Sequence, residues 1–418
     1  MSAGAPRPDH RLDAEHLELG GGLEVLLAAA LERVPPGGVL EVRTPSRAVA
    51  LELPGWARLA GHEVMGEVPE GDGTVLQVRR GRTVRVLAPP LPERESPPPL
   101  RAGGEHHTAD LRGGAAPATA DPAAGFAPLG AVPEARASGY RWRLSDPEAV
   151  WADDVGELVE QASAEQWDAS REIPWGAARE LDDTTERAVA QVMTFLAQNE
   201  YAALYVPARF LPQVNPSLAE VVLWLSSHVY DEARHIEVFT KRALAGGLRG
   251  YALASTELSL STLLDEHDFT NASLLLNVLG EGTFLDLLRF IERHAPDPAT
   301  AAAARLAHRD ERRHVHFGVS HIRRAVAANP EIETALVAAV EARAAKLASL
   351  SGLSPVVIES LTVMSSQSLV PAELSEAAAD VRSLMSTMER NRVRRLTACG
   401  FSSHTARYLS DLHSPNLM

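Results

Sequence analysis

Two five-residue segments of this 418-residue chain repeat one pattern. Asp231-Glu232-Ala233-Arg234-His235 and Asp310-Glu311-Arg312-Arg313-His314 both read D-E-x-R-H. On an α-helix, residues i and i+3 share a face, so each Glu and His can reach one metal ion together. A hard carboxylate beside an imidazole suits iron, manganese or zinc. Each segment is also preceded by a further glutamate: Glu200 stands 32 residues before Glu232, and Glu281 stands 30 residues before Glu311. Those intervals match an antiparallel helix pair. The chain thus reads twice as Glu, then Glu-x-x-His, the donor set of a two-metal site inside a helical bundle. A lone Glu-x-x-His is common on a solvated helix face. Four carboxylates in a helical core are another matter, because burying them without a counter-charge is very costly.

The elements that must carry these residues are legible around them. Val192, Met193 and Leu196 precede Glu200 at helical spacing, so Glu200 points into an apolar face. Leu274, Val278, Glu281, Leu285 and Leu288 form a second stripe, and Ala303, Ala307, Glu311, His314 and Gly318 a third. The helix bearing Glu232 is predicted to start at Ser217, with Glu220 completing a capping box after the Asn215-Pro216 turn. His228, one turn before Glu232, either lines the cavity or is a satisfied core histidine; His316 points away from it. Gln166-Trp167 to Ile173-Pro174-Trp175 reads as a packing element ahead of the bundle.

Composition bounds the rest. Hydrophobic residues make up 45% of the chain, enough for a sizeable core, and the formal net charge is −15. That balance argues against nucleic acid or an anionic membrane as the main partner. The single cysteine, Cys399, makes no internal disulfide and no thiolate cluster, which fits a cytoplasmic compartment. The N-terminus lacks an apolar signal core, and no run of about 18 apolar residues exists. We read residues 1–10 as a disordered tail, 11–90 as a small α/β domain, and 91–138, rich in Pro, Ala and Gly, as a flexible linker. The predicted helical bundle spans 139–370, followed by a C-terminal helix and tail over 371–418 that either folds back as a lid or packs on the bundle.

In the first domain, a strand over 11–19, a helix over 23–34, a strand over 39–43, a helix over 46–60 broken near Pro54-Gly55, and strands over 63–68 and 74–79 are predicted. Leu12-Asp13-Ala14, Leu53-Pro54-Gly55-Trp56 and Gly61-His62-Glu63 resemble the sulfur-carrier family typified by TusA. The family's reactive Cys-Pro falls at Leu19-Gly20 here, and leucine carries no persulfide. The resemblance therefore implies a docking module for a protein partner rather than sulfur transfer.

Residues 180–325 resemble the ferritin-like di-iron carboxylate proteins, with D-E-x-R-H segments most like bacterial multicomponent monooxygenase hydroxylases and spacing like ribonucleotide reductase small subunits. The resemblance implies a mainly α, ferritin-like bundle holding two Fe ions, or Mn/Fe, that activate dioxygen. Iron 1 would take Glu200, Glu232 and His235, and iron 2 would take Glu281, Glu311 and His314, with Glu232 and Glu311 bridging. Asp231 and Asp310 would hydrogen-bond the ligand histidines across the bundle. Three departures narrow the chemistry. Phe239 stands where the radical-forming Tyr of ribonucleotide reductase would be, and Leu285 where the hydroxylases place a Thr. Ala307 occupies the third-His position of the p-aminobenzoate N-oxygenase group, with His308 beside it as a candidate seventh ligand. The implied function is a di-iron oxygenase or oxidase acting on a small organic substrate, with electrons from an external reductase or ferredoxin and a homodimer allowed. A ferroxidase or metal-storage protein, or a tRNA-modifying hydroxylase, is the alternative.

Overall fold

The computed structural model describes residues 7–81, 104–112, 116–131, 140–177, 181–348 and 354–413. The chain is mainly helical and divides into two units, one comprising 1–96 and 131–139, the other 97–130 and 140–418.

In the first unit, β1 (His10–Asp13), α1 (Leu23–Glu32), β2 (Val39–Thr44), α2 (Arg47–Leu59), β3 (Glu63–Glu70) and β4 (Gly73–Arg79) build a four-stranded sheet in the order β1-β2-β4-β3. β1 runs parallel to β2; the β3–β4 hairpin is antiparallel and joins β2 through β4. Leu23, Leu27 and Leu31 of α1 and Val49 and Leu53 of α2 pack on Leu40, Val42, Leu76 and Val78 of the sheet. Two expectations change here. β1 ends at Asp13 rather than continuing to Leu19, and α2 passes through Pro54 without a break. The buried stripe Val49, Ala50, Leu53 and Ala57 holds both halves of α2 on the sheet, and tertiary packing outweighs the local cost of proline. Leu19 packs against this core, and Gly20 takes a φ of +83° that favours glycine.

The second unit contains α3 (Val155–Ala164), α4 (Asp183–Phe210), α5 (Ala219–Ala245), α6 (Ala254–Leu264), α7 (Phe269–Ser273), α8 (Gly282–His294), α9 (Pro298–Ala328), α10 (Glu331–Lys346), α11 (Pro355–Ser366), α12 (Pro371–Ala398) and α13 (Ser403–His413). α7 and α8 are one continuous helix, joined by a π-helical segment over Leu274–Glu281. The unit's apolar residues fall into two clusters. On α4 the order is second cluster (188–197), Glu200, first cluster (202–210); on α9 it is second (299–307), Glu311 and His314, first (317–322). α5 and the α7–α8 helix run through the clusters in the opposite sense. The four helices are therefore two antiparallel pairs, and every donor residue named above lies in the polar layer between two apolar ones.

The stretch predicted as a linker, 91–138, is not one along its described length. The Thr108 hydroxyl donates to Glu160 of α3 at 2.6 Å, and Arg112 meets Glu220 of α5 at 3.0 Å and the Ser217 carbonyl. The Trp142 indole caps the same region by donating to the Gly125 carbonyl. The predicted capping box is displaced for the same reason: α5 starts at Ala219 with no side-chain cap, and Glu220 is buried against Arg112. The C-terminal residues 371–413 are likewise part of this unit, α13 burying Ala406, Leu409 and His413. Residues 1–6, 82–103, 132–139 and 414–418, where the tail and part of the linker were expected, lie outside the described residues.

Candidate metal centre

The sequence repeat becomes a geometric one. α5 presents His228, Glu232 and His235 along one face, and α9 presents Glu311 and His314. α4 brings Glu200, and the end of the π-helical segment brings Glu281. Their donor atoms form two groups, each of which could hold a metal ion: Glu200, Glu232, His235 and Glu311 in one, His228, Glu232, Glu281 and His314 in the other. Within each group the donor atoms lie within 4.8 Å of one another, and all seven residues are buried.

Two carboxylates face both groups. Glu232 lies 3.1 Å from His235 Nδ1 through one oxygen and 2.9 Å from His314 Nδ1 through the other. Glu311 lies 3.4 Å and 3.3 Å from the same two nitrogens. Four of these atoms (Glu200 Oε1, Glu232 Oε1, Glu311 Oε2 and His314 Nδ1) are buried without a hydrogen-bond partner. They crowd together without hydrogen-bond geometry, which fits donors arranged around cations rather than around each other. The charge balance says the same. Burial, with the Glu232 and Glu311 charges, holds the Glu200 carboxyl well above the usual range, and burial with the Glu311 charge raises Glu281. Burial opposes charge on His235 and His314 too, yet the Glu232 charge and their hydrogen bonds raise both well above the ordinary histidine range. Without metal, protons supply the positive charge this layer demands.

The surrounding shell crosses between the two halves. Asp310 of α9 lies 3.4 Å from Nε2 of His235 on α5, and Asp231 of α5 lies 3.3 Å from Nε2 of His314 on α9. Each far-side nitrogen is thus engaged, leaving Nδ1 for the centre. Both aspartates are held in turn by the arginines of their own motifs. Arg313 contacts Asp310 at 2.7 Å and Asp231 at 2.9 Å, while Arg234 contacts Asp310 at 3.1 Å and also pairs with Asp231. The Trp167 indole adds a 2.6 Å donation to Asp310. The segment expected merely to pack ahead of the bundle therefore reaches this shell through two side chains, Trp167 on Asp310 and Gln166, which accepts from Arg234.

Spacing alone left two further histidines open as candidates. His228, open between a cavity and a core role, sits 3.2 Å from both Glu232 and Glu281 and completes the second group. His308 joins neither group; it is half-buried, with Arg289, Arg312 and Glu292 among its charged neighbours. Asn277, which sequence reading missed, donates to Glu281 Oε2 at 2.7 Å and accepts from Ser273 at 3.0 Å, so a polar ladder inside the π-helical segment aims Glu281. Such segments concentrate at functional sites, and sequence carries no propensity signal for them. Leu285 is only half-buried, and Phe284 turns to the site instead.

Two cavities approach the centre. One, of about 30 Å³, is lined by Glu200, Glu281 and Glu311 together with Ala203, Leu260, Leu276, Gly280 and Phe284. The other, of about 20 Å³, reaches His228 and Asn277 past Val206, Phe210 and Phe317. α6 covers the first and is tied to α4, where the Gln198 amide donates to the Leu253 carbonyl at 3.1 Å and accepts from its N–H at 3.0 Å.

The site's arrangement is thus two buried groups of carboxylates and imidazoles, each able to hold a metal ion, shared by four helices. No family model and no curated protein matches the sequence. Among solved structures, the chain is similar to an R2-like ligand-binding oxidase variant with an aerobically reconstituted Mn/Fe cofactor, at 17% identity and a TM-score of 0.45, over 59% of this chain and 93% of that one. A variant with a reconstituted Fe/Fe cofactor gives the same identity, TM-score and coverage. A third variant, again with Mn/Fe, has 15% identity and a TM-score of 0.40 over 62% and 90% of the two chains. Among the described residues, no helix is long and apolar enough to cross a membrane.

Proposed function

We propose that the helical unit is a non-haem oxidase or oxygenase that holds two iron ions, or one manganese and one iron, and uses dioxygen to oxidise a small organic molecule. The observation that carries this reading is the pair of buried four-donor groups joined by Glu232. Bound there, a reduced metal pair supplies electrons to dioxygen. Glu200 and His235 would hold one ion and Glu281, His314 and His228 the other, with Glu232 and Glu311 spanning the two. Asp310 and Asp231 fix the ring orientations of His235 and His314. The apolar layers above and below exclude water. The electrons this chemistry requires would come from the substrate or from a separate reductase or ferredoxin. The N-terminal unit, TusA-like in element order but with leucine in place of the reactive cysteine, would dock a protein partner.

The test is anaerobic loading with ferrous iron followed by dioxygen. Two irons per chain and stoichiometric oxygen uptake are expected, with both lost in Glu232→Ala and His314→Ala. Full occupancy in Glu232→Ala would sink the ligand assignment. Accumulation of many ferric ions per chain would mean storage instead.

A further inference from the structure

The π-helical segment places a glycine, Gly280, directly before Glu281. Glycine inside a helix costs roughly 1 kcal/mol against alanine, so a reason is needed for it. Backbone conformation is not the reason, since Gly280 is not among the residues at positive φ. Close packing is not the reason either. A Cβ built on Gly280 meets only the Leu275 carbonyl oxygen, at 3.4 Å. The contrast with nearby glycines is plain: a Cβ on Gly282 would come within 2.5 Å of Arg395, and one on Gly318 within 2.6 Å of Asn277 Cβ. Those two are glycines because neighbours touch them. Gly280 faces open space, and that space is the cavity whose floor is Glu200, Glu281 and Glu311.

The wall chemistry says what fits there. Ala202, Ala203, Leu260, Leu263, Leu276 and Phe284 make up most of it. Apart from the three glutamates, the polar side chain in the lining is Asn199, whose amide is already committed to the Phe195 carbonyl at 2.7 Å. Among the described residues, no Lys, Arg or His lines the cavity to receive an anion. Resting on the two-metal reading, the four glutamates offset two divalent cations in full, so neither an anionic nor a cationic guest gains a counter-charge. Either would lose its hydration on entering.

We propose that this cavity takes an uncharged, apolar small molecule and that Gly280 sets how closely it approaches the carboxylates. Gly280 is then a specificity-determining residue, since any side chain larger than hydrogen would occupy the space next to Glu281. The test uses three probes of one length, 1-butanol, butyrate and n-butylammonium, titrated into the metal-loaded full-length protein and followed by ligand-observed NMR. Butanol should bind at least tenfold more tightly than either ion. Gly280→Leu should weaken butanol at least tenfold, Gly280→Ala by less, and Leu260→Phe, which fills the cavity from α6, should match Gly280→Leu. Metal content is measured on the same samples and should stay at two ions per chain in each variant. Equal binding of butyrate and butanol, or unchanged butanol binding in both Gly280→Leu and Leu260→Phe, would overturn the proposal. Loss of metal from the wild-type protein while butanol still binds would refute the two-metal reading and leave the cavity assignment standing.

Discussion

Replacing Asp310 by asparagine separates two roles that the structure superimposes on one side chain. Asp310 is fully buried, contacts Arg313 at 2.7 Å and Arg234 at 3.1 Å, accepts from Trp167 at 2.6 Å, and stands 3.4 Å from His235 Nε2. With Asp231, it balances the charges of two arginines that are 4% and 1% exposed at the side chain. The amide would keep the shape of the carboxylate and remove the negative charge that the two arginines share, leaving Arg313 with Glu165 at 2.7 Å and Asp231 at 2.9 Å, and Arg234 with Asp231. Breaking a buried pair outright costs about 3–5 kcal/mol, and because both arginines keep a carboxylate the loss here falls at the lower end. In a unit of this size each kcal/mol moves the melting midpoint by roughly 2–4 °C, so Asp310→Asn should lower the metal-free midpoint by on the order of 10 °C. The second role concerns His235 alone. Loss of an orienting carboxylate weakens a metal by about 10–100-fold, and here only the ion held with Glu200 and His235 should be affected. Asp231→Asn should produce a similar thermal loss but weaken the ion at His314. The assay is paired: thermal unfolding of metal-free protein, and ferrous titration against a chromophoric chelator that resolves two binding steps. If both variants melt early yet titrate like the wild type, the aspartates serve the arginine cluster alone and the orienting role is refuted.

His228→Ala should weaken one of the two ions by at least about 10-fold in the same chelator competition, while His308→Ala should leave both unchanged; the opposite pattern would restore His308 as the extra ligand. Gly318→Ala forces a Cβ to within 2.6 Å of Asn277 Cβ and should cost about 1–3 kcal/mol while also loosening the ion at Glu281, because Asn277 aims that carboxylate. Burial pushes His321 down from 6.5 to about 4, with its Nδ1 bonded to the Trp151 carbonyl at 2.8 Å. A depressed histidine contributes stability above its unfolded value that is lost as pH falls, here between about 6.5 and 4. The loss should approach ~3 kcal/mol in urea titrations at stepped pH and be flattened in His321→Gln. Burial likewise pushes the Cys399 thiol up to about 12, so a thiol reagent at mildly alkaline pH should label it only after unfolding, and rapid native labelling would contradict that placement.

What was legible in the sequence followed from helical periodicity. Glu232 with His235, and Glu311 with His314, had to share faces because i and i+3 do, and the intervals back to Glu200 and Glu281 allowed one antiparallel pairing each. The membership of His228 was not legible, because it depends on where Glu281 points. That direction is set by the π-helical turn and the Asn277 bond, neither of which alters composition or spacing. Trp167 was out of reach for another reason: it approaches from a segment outside the four helices, and only tertiary packing brings its indole to Asp310. The predicted linker misled because Pro, Ala and Gly report backbone stiffness and not the partners of scattered side chains. Thr108 and Arg112 are enough to seat that segment on α3 and α5.

The two D-E-x-R-H motifs are best understood as one device split between helices. Within a motif, the arginine neutralises the aspartate beside it, as Arg234 does for Asp231 and Arg313 for Asp310. Across motifs, each aspartate serves the other motif's histidine. The aspartate and arginine layer is therefore electrically closed before any metal arrives, and it can hold both imidazole rings in place in the empty protein. The glutamate layer is not closed: Glu200, Glu232, Glu281 and Glu311 each bring a negative charge when ionised, and in the empty protein protons on the histidines and on the raised carboxyls must answer it. The charges that call for cations are thus confined to groups that can take up protons instead. The same division means that neither half of the bundle makes a competent site alone, since His235 without Asp310, or His314 without Asp231, loses the contact that fixes which nitrogen faces the centre.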